Sequence, residues 1–183
     1  MLYNEIETLQ GMKRNFLLVL VIAIITTSCN SQARPPYELA AFTENEVAVS
    51  IFLDTNVDGK YFLSAKFTPP DGYHLYSKDI PITGVDELGR PTLLELTNES
   101  QMKVLGELTE SVNAEVPNFK PKELFVYPPG TVTLSLPVEL PQGDRWVKDV
   151  VKITYMACSG GGCKAPVIGK LVSIRIPGVD LFE

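Results

Sequence analysis

The ten residues "TVTLSLPVEL" at 131–140 leave this chain little conformational choice. Val132, Leu134, Leu136, Val138 and Leu140 recur at every second position, the period of a strand with one buried face. The same alternation runs through "VAVSIFL" (47–53), where Val47, Val49, Ile51 and Leu53 share a face. Further strand-like runs are "KYFLSAKFT" (60–68), "YHLYS" (73–77), "TLLEL" (92–96), "KVLGEL" (103–108), "ELFVY" (123–127), "WVKDVVKITYMAC" (146–158) and "KLVSIRI" (170–176). Between them lie turns such as "PPDG" (69–72) and "PPG" (128–130), in which proline fixes φ and glycine supplies a positive one. Short strands spaced by turns, without a helical period, predict an all-β chain folded as an antiparallel β-sandwich. Pro137 has no amide to give to a ladder, so 131–140 is expected at a sheet edge or bulged at that residue. The segment 109–122, "TESVNAEVPNFKPK", shows no strand pattern and is expected to be a long loop of the kind that often carries function.

The first 45 residues follow other rules. From Met12 the chain reads "MKRNFLLVLVIAIITTSCNSQ": two basic residues, an apolar stretch from Phe16 to Ile25, small residues, then Cys29. This is the layout of a secretory signal, too short in its apolar part to serve as a spanning helix. The small residues before Cys29 resemble the lipobox of bacterial lipoproteins, which implies cleavage before Cys29 and a lipid on its sulfur. Residues 1–11 read as an over-extended start, 12–28 as the lipoprotein signal, 29–45 as a lipid-anchored tether and 46–183 as the folded domain. The expected location is the bacterial cell envelope, anchored by lipid and facing the periplasm. A net charge of −6 argues against a nucleic-acid partner, which would need a basic face.

With Cys29 assigned to lipid, two cysteines remain, Cys158 and Cys163, in "YMACSGGGCKAP" (155–166). They flank a four-residue, glycine-rich loop between the last two strong strands, so the pair lies across a hairpin. Strand parity puts Val151, Ile153, Tyr155 and Ala157 on one face, and Lys152, Thr154, Met156 and Cys158 on the other. Cys158 is thus expected to look outward or toward a covering loop. Cys163 takes the outward parity too, unless a bulge at Gly169 shifts the register. Both sulfurs are expected to emerge side by side at one end of the sandwich.

A disulfide here would close a loop of about six residues and stabilise the fold by about 2 kcal/mol. It would join neighbours already tied by a turn, which makes a poor staple and a plausible reducible link. An exported protein permits either reading. No helix starts at the cysteines, so no helix dipole lowers a thiol pKa. Lys164 points to the opposite strand face. The activated thiol is therefore expected to come from a specific partner.

"ITYMACSGGGCKAP" and "DGYHLYSKDIPIT" (71–83) together resemble the N-terminal periplasmic domain of DsbD, a transmembrane thiol–disulfide reductase. In that family a strand with a Thr-Tyr pair runs into two nearby cysteines, and a Gly-Tyr-x-Leu-Tyr strand lies upstream. The resemblance covers roughly 45–177. It implies an immunoglobulin-like sandwich whose cysteine pair shuttles electrons, with Cys163 forming the mixed disulfide and Cys158 resolving it. Partners would be thioredoxin-fold proteins or a membrane electron-transfer protein. A cap loop with an aromatic residue shields the pair in the family; here 109–122 is in the right place, with Phe119 as the cap. Tyr76 and His74 would line the pocket.

The same residues have plainer readings. His74 is the sole histidine and lies within a strand-like run, where packing is the ordinary role. Tyr76 is equally at home in a core, and Phe119 could plug the sandwich end. No second Cys-x-x-Cys or histidine cluster joins the two cysteines, so neither a metal nor a cofactor is expected. The rival to a redox module is a binding or assembly domain with a permanent disulfide.

Overall fold

The computed structural model describes residues 36–181. The readings placed on 1–35, including the signal and Cys29, lie outside them. Twelve strands follow in order: β1 (Tyr37–Glu44), β2 (Val47–Thr55), β3 (Tyr61–Thr68), β4 (His74–Leu75), β5 (Leu93–Leu96) and β6 (Lys103–Val104). Then come β7 (Thr109–Glu110), β8 (Val132–Glu139), β9 (Trp146–Tyr155), β10 (Ala157–Ser159), β11 (Gly162–Cys163) and β12 (Val167–Pro177). A single 3-10 turn, Val179–Leu181, follows.

One sheet runs β1-β2-β3-β8-β6, with β7 also on β8; a second runs β12-β9-β5; a third, small one runs β11-β10-β4. Every pairing between strands is antiparallel. The two larger sheets face each other as a β-sandwich, as the alternation predicts. Val47, Val49, Ile51 and Leu53 of β2 are buried, as are Val132, Leu134, Leu136 and Val138 of β8. Val151, Ile153 and Tyr155 of β9 and Val172, Ile174 and Ile176 of β12 meet them from the other side. Phe67 and Tyr155 touch edge to face across this core, centroids 5.7 Å apart.

Four expectations need correction. Residues 37–44, taken as part of a tether, form β1, which pairs along β2. The alternation in "YELAAFTE" is too weak to read because both faces of this edge strand stay partly exposed. Residues 109–110, expected in a loop, pair with Ser135 and Leu134 of β8. Of "ELFVY" only Val126 pairs, through single bridges to Tyr76 and Glu115. Strand 131–140 is not an edge: β3 lies along one side and β6 and β7 along the other.

The reasoning about Pro137 survives in another form. The Pro137 carbonyl accepts the Leu105 amide, so its missing N–H faces the same outer side. There the partner strand is split: β6 pairs with 138–139, β7 with 134–135. The chain between them leaves the ladder where no donor exists to meet it.

Candidate functional site

The site starts from a change of partners in one strand. β9 lies between β12 and β5 until Tyr155; after Met156 the chain continues as β10, now between β11 and β4. Tyr155 and Ala157 still belong to the sandwich core, and the Tyr155 hydroxyl donates to the Glu44 carbonyl of β1 at 2.9 Å. At the next residue, on the opposite face, Cys158 belongs to a separate cluster with Tyr76, Ile80 and Leu124.

Cys158 and Cys163 are directly opposed across β10 and β11 and are joined by a disulfide, with Cα atoms 4.0 Å apart. The hairpin is closed by the Lys164 amide donating to the Ala157 carbonyl and by Gly162 at φ 134°, a conformation that favours glycine. The exception allowed for at Gly169 is present: the register shifts between Val167 and Lys170, Gly169 has φ 60°, and its amide donates to Thr154 Oγ1 at 2.9 Å.

The two cysteines are not both exposed, as was expected of the pair. Cys158 is only 3 % exposed, whereas Cys163 is exposed. Parity correctly took Cys158 off the sandwich core; what it could not show is the segment folded over that face. Tyr76, Ile80 and Leu124 cover it, with Val85, Val126 and Met156 packed around them. Gly89 is part of this cover: a Cβ there would meet Leu124 at 2.8 Å and Tyr76 at 3.1 Å, so the close approach requires glycine. Ile80, Gly89 and Leu124 were missed as site residues, since nothing local in "KDIPITGVDELGRP" or "KPKELF" marks them as neighbours of a cysteine.

Phe119, Tyr76 and His74 come together beside the disulfide. His74 is directly opposed to Cys158 on the strand edge away from Cys163. Its ring stacks on Phe119, centroids 5.8 Å apart at 28°, and meets Tyr76 edge to face at 5.4 Å and 85°. Burial pushes the His74 pKa below its ordinary 6.5 and the Tyr76 pKa above its ordinary 10.0. Both rings are therefore neutral near pH 7.

Phe119 is 36 % exposed and separates two cavities. One, of about 260 Å³, is lined by Cys163, Tyr76, Leu124, Met156 and Pro166, with Glu87, Arg90 and Lys120 at its rim. The other, of about 470 Å³, is lined by His74, Glu115, Tyr127 and Ser159. The segment carrying Phe119 is fixed at both sides. Glu115 and Val126 exchange backbone hydrogen bonds at 2.7 and 3.0 Å, and Lys122 Nζ donates to the Pro117 carbonyl at 2.7 Å. Lys164 points away from the sulfurs, held by Glu46 at 2.6 Å over the Tyr73 ring. Among the described residues no three His, Cys, Asp or Glu side chains group to hold a metal ion.

The site is thus a disulfide at one end of an antiparallel β-sandwich, one cysteine under a hydrophobic cover and the other an exposed residue. The chain is similar in structure to the crystal structure of the N-terminal domain of Neisseria meningitidis DsbD in the reduced form. Identity is 16 % and the TM-score 0.40, over 83 % of this chain and 94 % of that one. No family model and no curated protein matches this chain.

Proposed function

We propose that this domain is a thiol–disulfide interchange module that passes reducing equivalents through a reversible Cys158–Cys163 disulfide. The observation that carries the reading is the unequal exposure of the two cysteines across one hairpin. The exposed Cys163 is the sulfur a partner can reach, and the buried Cys158 is placed to resolve. In the reduced domain, the Cys163 thiolate attacks a partner's disulfide; a mixed disulfide forms and one partner sulfur leaves. Cys158 then attacks Cys163 Sγ, the intramolecular bond closes, and the partner departs as a dithiol. The pair loses two electrons and the partner gains them.

Partners on this reading are thioredoxin-fold proteins or a membrane electron-transfer protein, which activate the exchange themselves. The cavity of about 260 Å³ beside Cys163 receives the partner's residues around the attacking sulfur. Phe119 is the cap that shields the pair until a partner docks. The reading includes export, a lipid on Cys29 and a periplasm-facing domain, all of which rest on the N-terminal sequence.

A specific observation also favours a permanent link: Cys158 is packed among apolar side chains, as structural cysteines are. The two readings part at the mixed disulfide. Cys158→Ser leaves Cys163 able to attack and unable to be released. The expected outcome is a covalent, dithiothreitol-sensitive adduct with a thioredoxin-fold protein in periplasmic extract, seen on a non-reducing gel. No adduct under those conditions counts for the static link.

A further inference from the structure

His74 holds the one buried side-chain nitrogen among the described residues that lacks any hydrogen-bond partner, its Nε2. Such an atom is costly to bury and calls for a reason. Cys158 is directly opposed to His74 on one side and to Cys163 on the other. Opposed residues of antiparallel strands project from the same face with Cβ atoms about 4.5–5.5 Å apart. The imidazole and the two sulfurs therefore form one row across β4, β10 and β11.

The disulfide explains why the nitrogen is unpaired. Bonded to each other, neither sulfur carries a proton to donate. Reduction places an S–H on Cys158, inside the same cover and beside a neutral imidazole. Other ionisable groups are poorly suited to take that proton. Tyr76 is neutral, and Glu115, Glu87 and Lys120 stand at exposed positions around the two cavities. Arg90 is committed to the carbonyls of Thr83, at 2.7 Å, and of Glu87.

Building on the interchange reading above, we infer that His74 is the proton acceptor for Cys158 in the resolving step. In the mixed disulfide, the Cys158 thiol passes its proton to His74 Nε2 and the thiolate attacks Cys163 Sγ. The Cys163–partner bond breaks, and the partner sulfur leaves as a thiolate that takes a proton from the imidazolium or from water. In the reverse direction the partner thiol gives up its proton to His74 as it attacks Cys163 Sγ, and the imidazolium so formed protonates Cys158 as it leaves.

Stopped-flow mixing of the reduced full-length chain with oxidised glutathione tests this. The first phase forms the Cys163–glutathione disulfide; the second closes the Cys158–Cys163 bond and releases glutathione. His74→Phe keeps a flat ring against Phe119 and Tyr76 and removes both nitrogens. The second phase is expected to slow about 10- to 100-fold at pH 7. That deficit should shrink steadily as pH rises and hydroxide takes over the deprotonation of the buried thiol, with the first phase unchanged. An unaltered second phase, or a deficit equal at every pH, overturns the proposal. NMR on unmodified protein gives a second measure, because the chain has a single histidine. Its titration should differ between oxidised and reduced protein, and the difference should vanish in reduced Cys158→Ala; identical titrations in both redox states overturn the proposal. A wild type that reacts neither with oxidised glutathione nor with an oxidised thioredoxin-fold protein defeats the interchange reading and His74 with it. A reacting wild type with an unaltered variant defeats His74 alone.

Discussion

At the scale of single residues the site is governed by which groups are covered and by what. Phe119 stacks on His74 and lines two cavities, one of them shared with Cys163, which is the placement the proposed cap role needs. Truncation to alanine would merge the cavities and open a path toward Cys158. Phe119→Ala is accordingly expected to raise the alkylation rate of the reduced thiols by iodoacetamide, with the larger gain at Cys158. An unchanged rate would remove Phe119 from the role of cap. Among these residues the cysteines were legible as candidates from the sequence, and Tyr76, His74 and Phe119 through the resemblance it carries. The burial difference between Cys158 and Cys163 was not, because the side chains that cause it come from 76–89 and 124, far along the chain.

Elements explain how the hairpin is held apart from the core while remaining attached to it. β9 and β10 are nearly one strand, and the change of partners at Met156 moves the chain from sandwich to satellite sheet. Tyr155 anchors that junction: its ring is buried in the core, and its hydroxyl ties β9 to the carbonyl of Glu44 in β1. Burial and the nearby Glu44 carboxylate drive the phenol pKa far above its ordinary value, so it stays a donor at any practical pH. Tyr155→Phe removes this one bond and should lower unfolding stability by about 1 kcal/mol in urea denaturation. A change within experimental error would mean that β1 is held by its ladder alone. The long strands could be read from the sequence because their alternation is strong. The two-residue strands could not, since so short a ladder leaves no period to detect.

Considered as a whole molecule, the domain has two hydrophobic clusters of unequal size, and the disulfide belongs to the smaller. The sandwich core does not depend on it. Closing a loop with a sequence separation of 5 is worth only about 2 kcal/mol. Reduction is therefore expected to lower Tm by about 5 °C while leaving a cooperative transition. Redox titration of the pair should return a potential above about −300 mV. A fall of tens of degrees, or a pair that stays bonded in excess dithiothreitol, would make the disulfide a staple and the interchange reading untenable.

The sequence by itself determined the sandwich and the cross-hairpin placement of the cysteines. Both follow from local rules: alternation selects strands, proline and glycine end them, and parity assigns faces. Tertiary structure alone decided which sulfur is reachable, what lies over the other, and that a histidine from β4 stands opposite it. Those outcomes depend on contacts between segments tens of residues apart, and one-dimensional periodicity carries no record of which segment folds over which face.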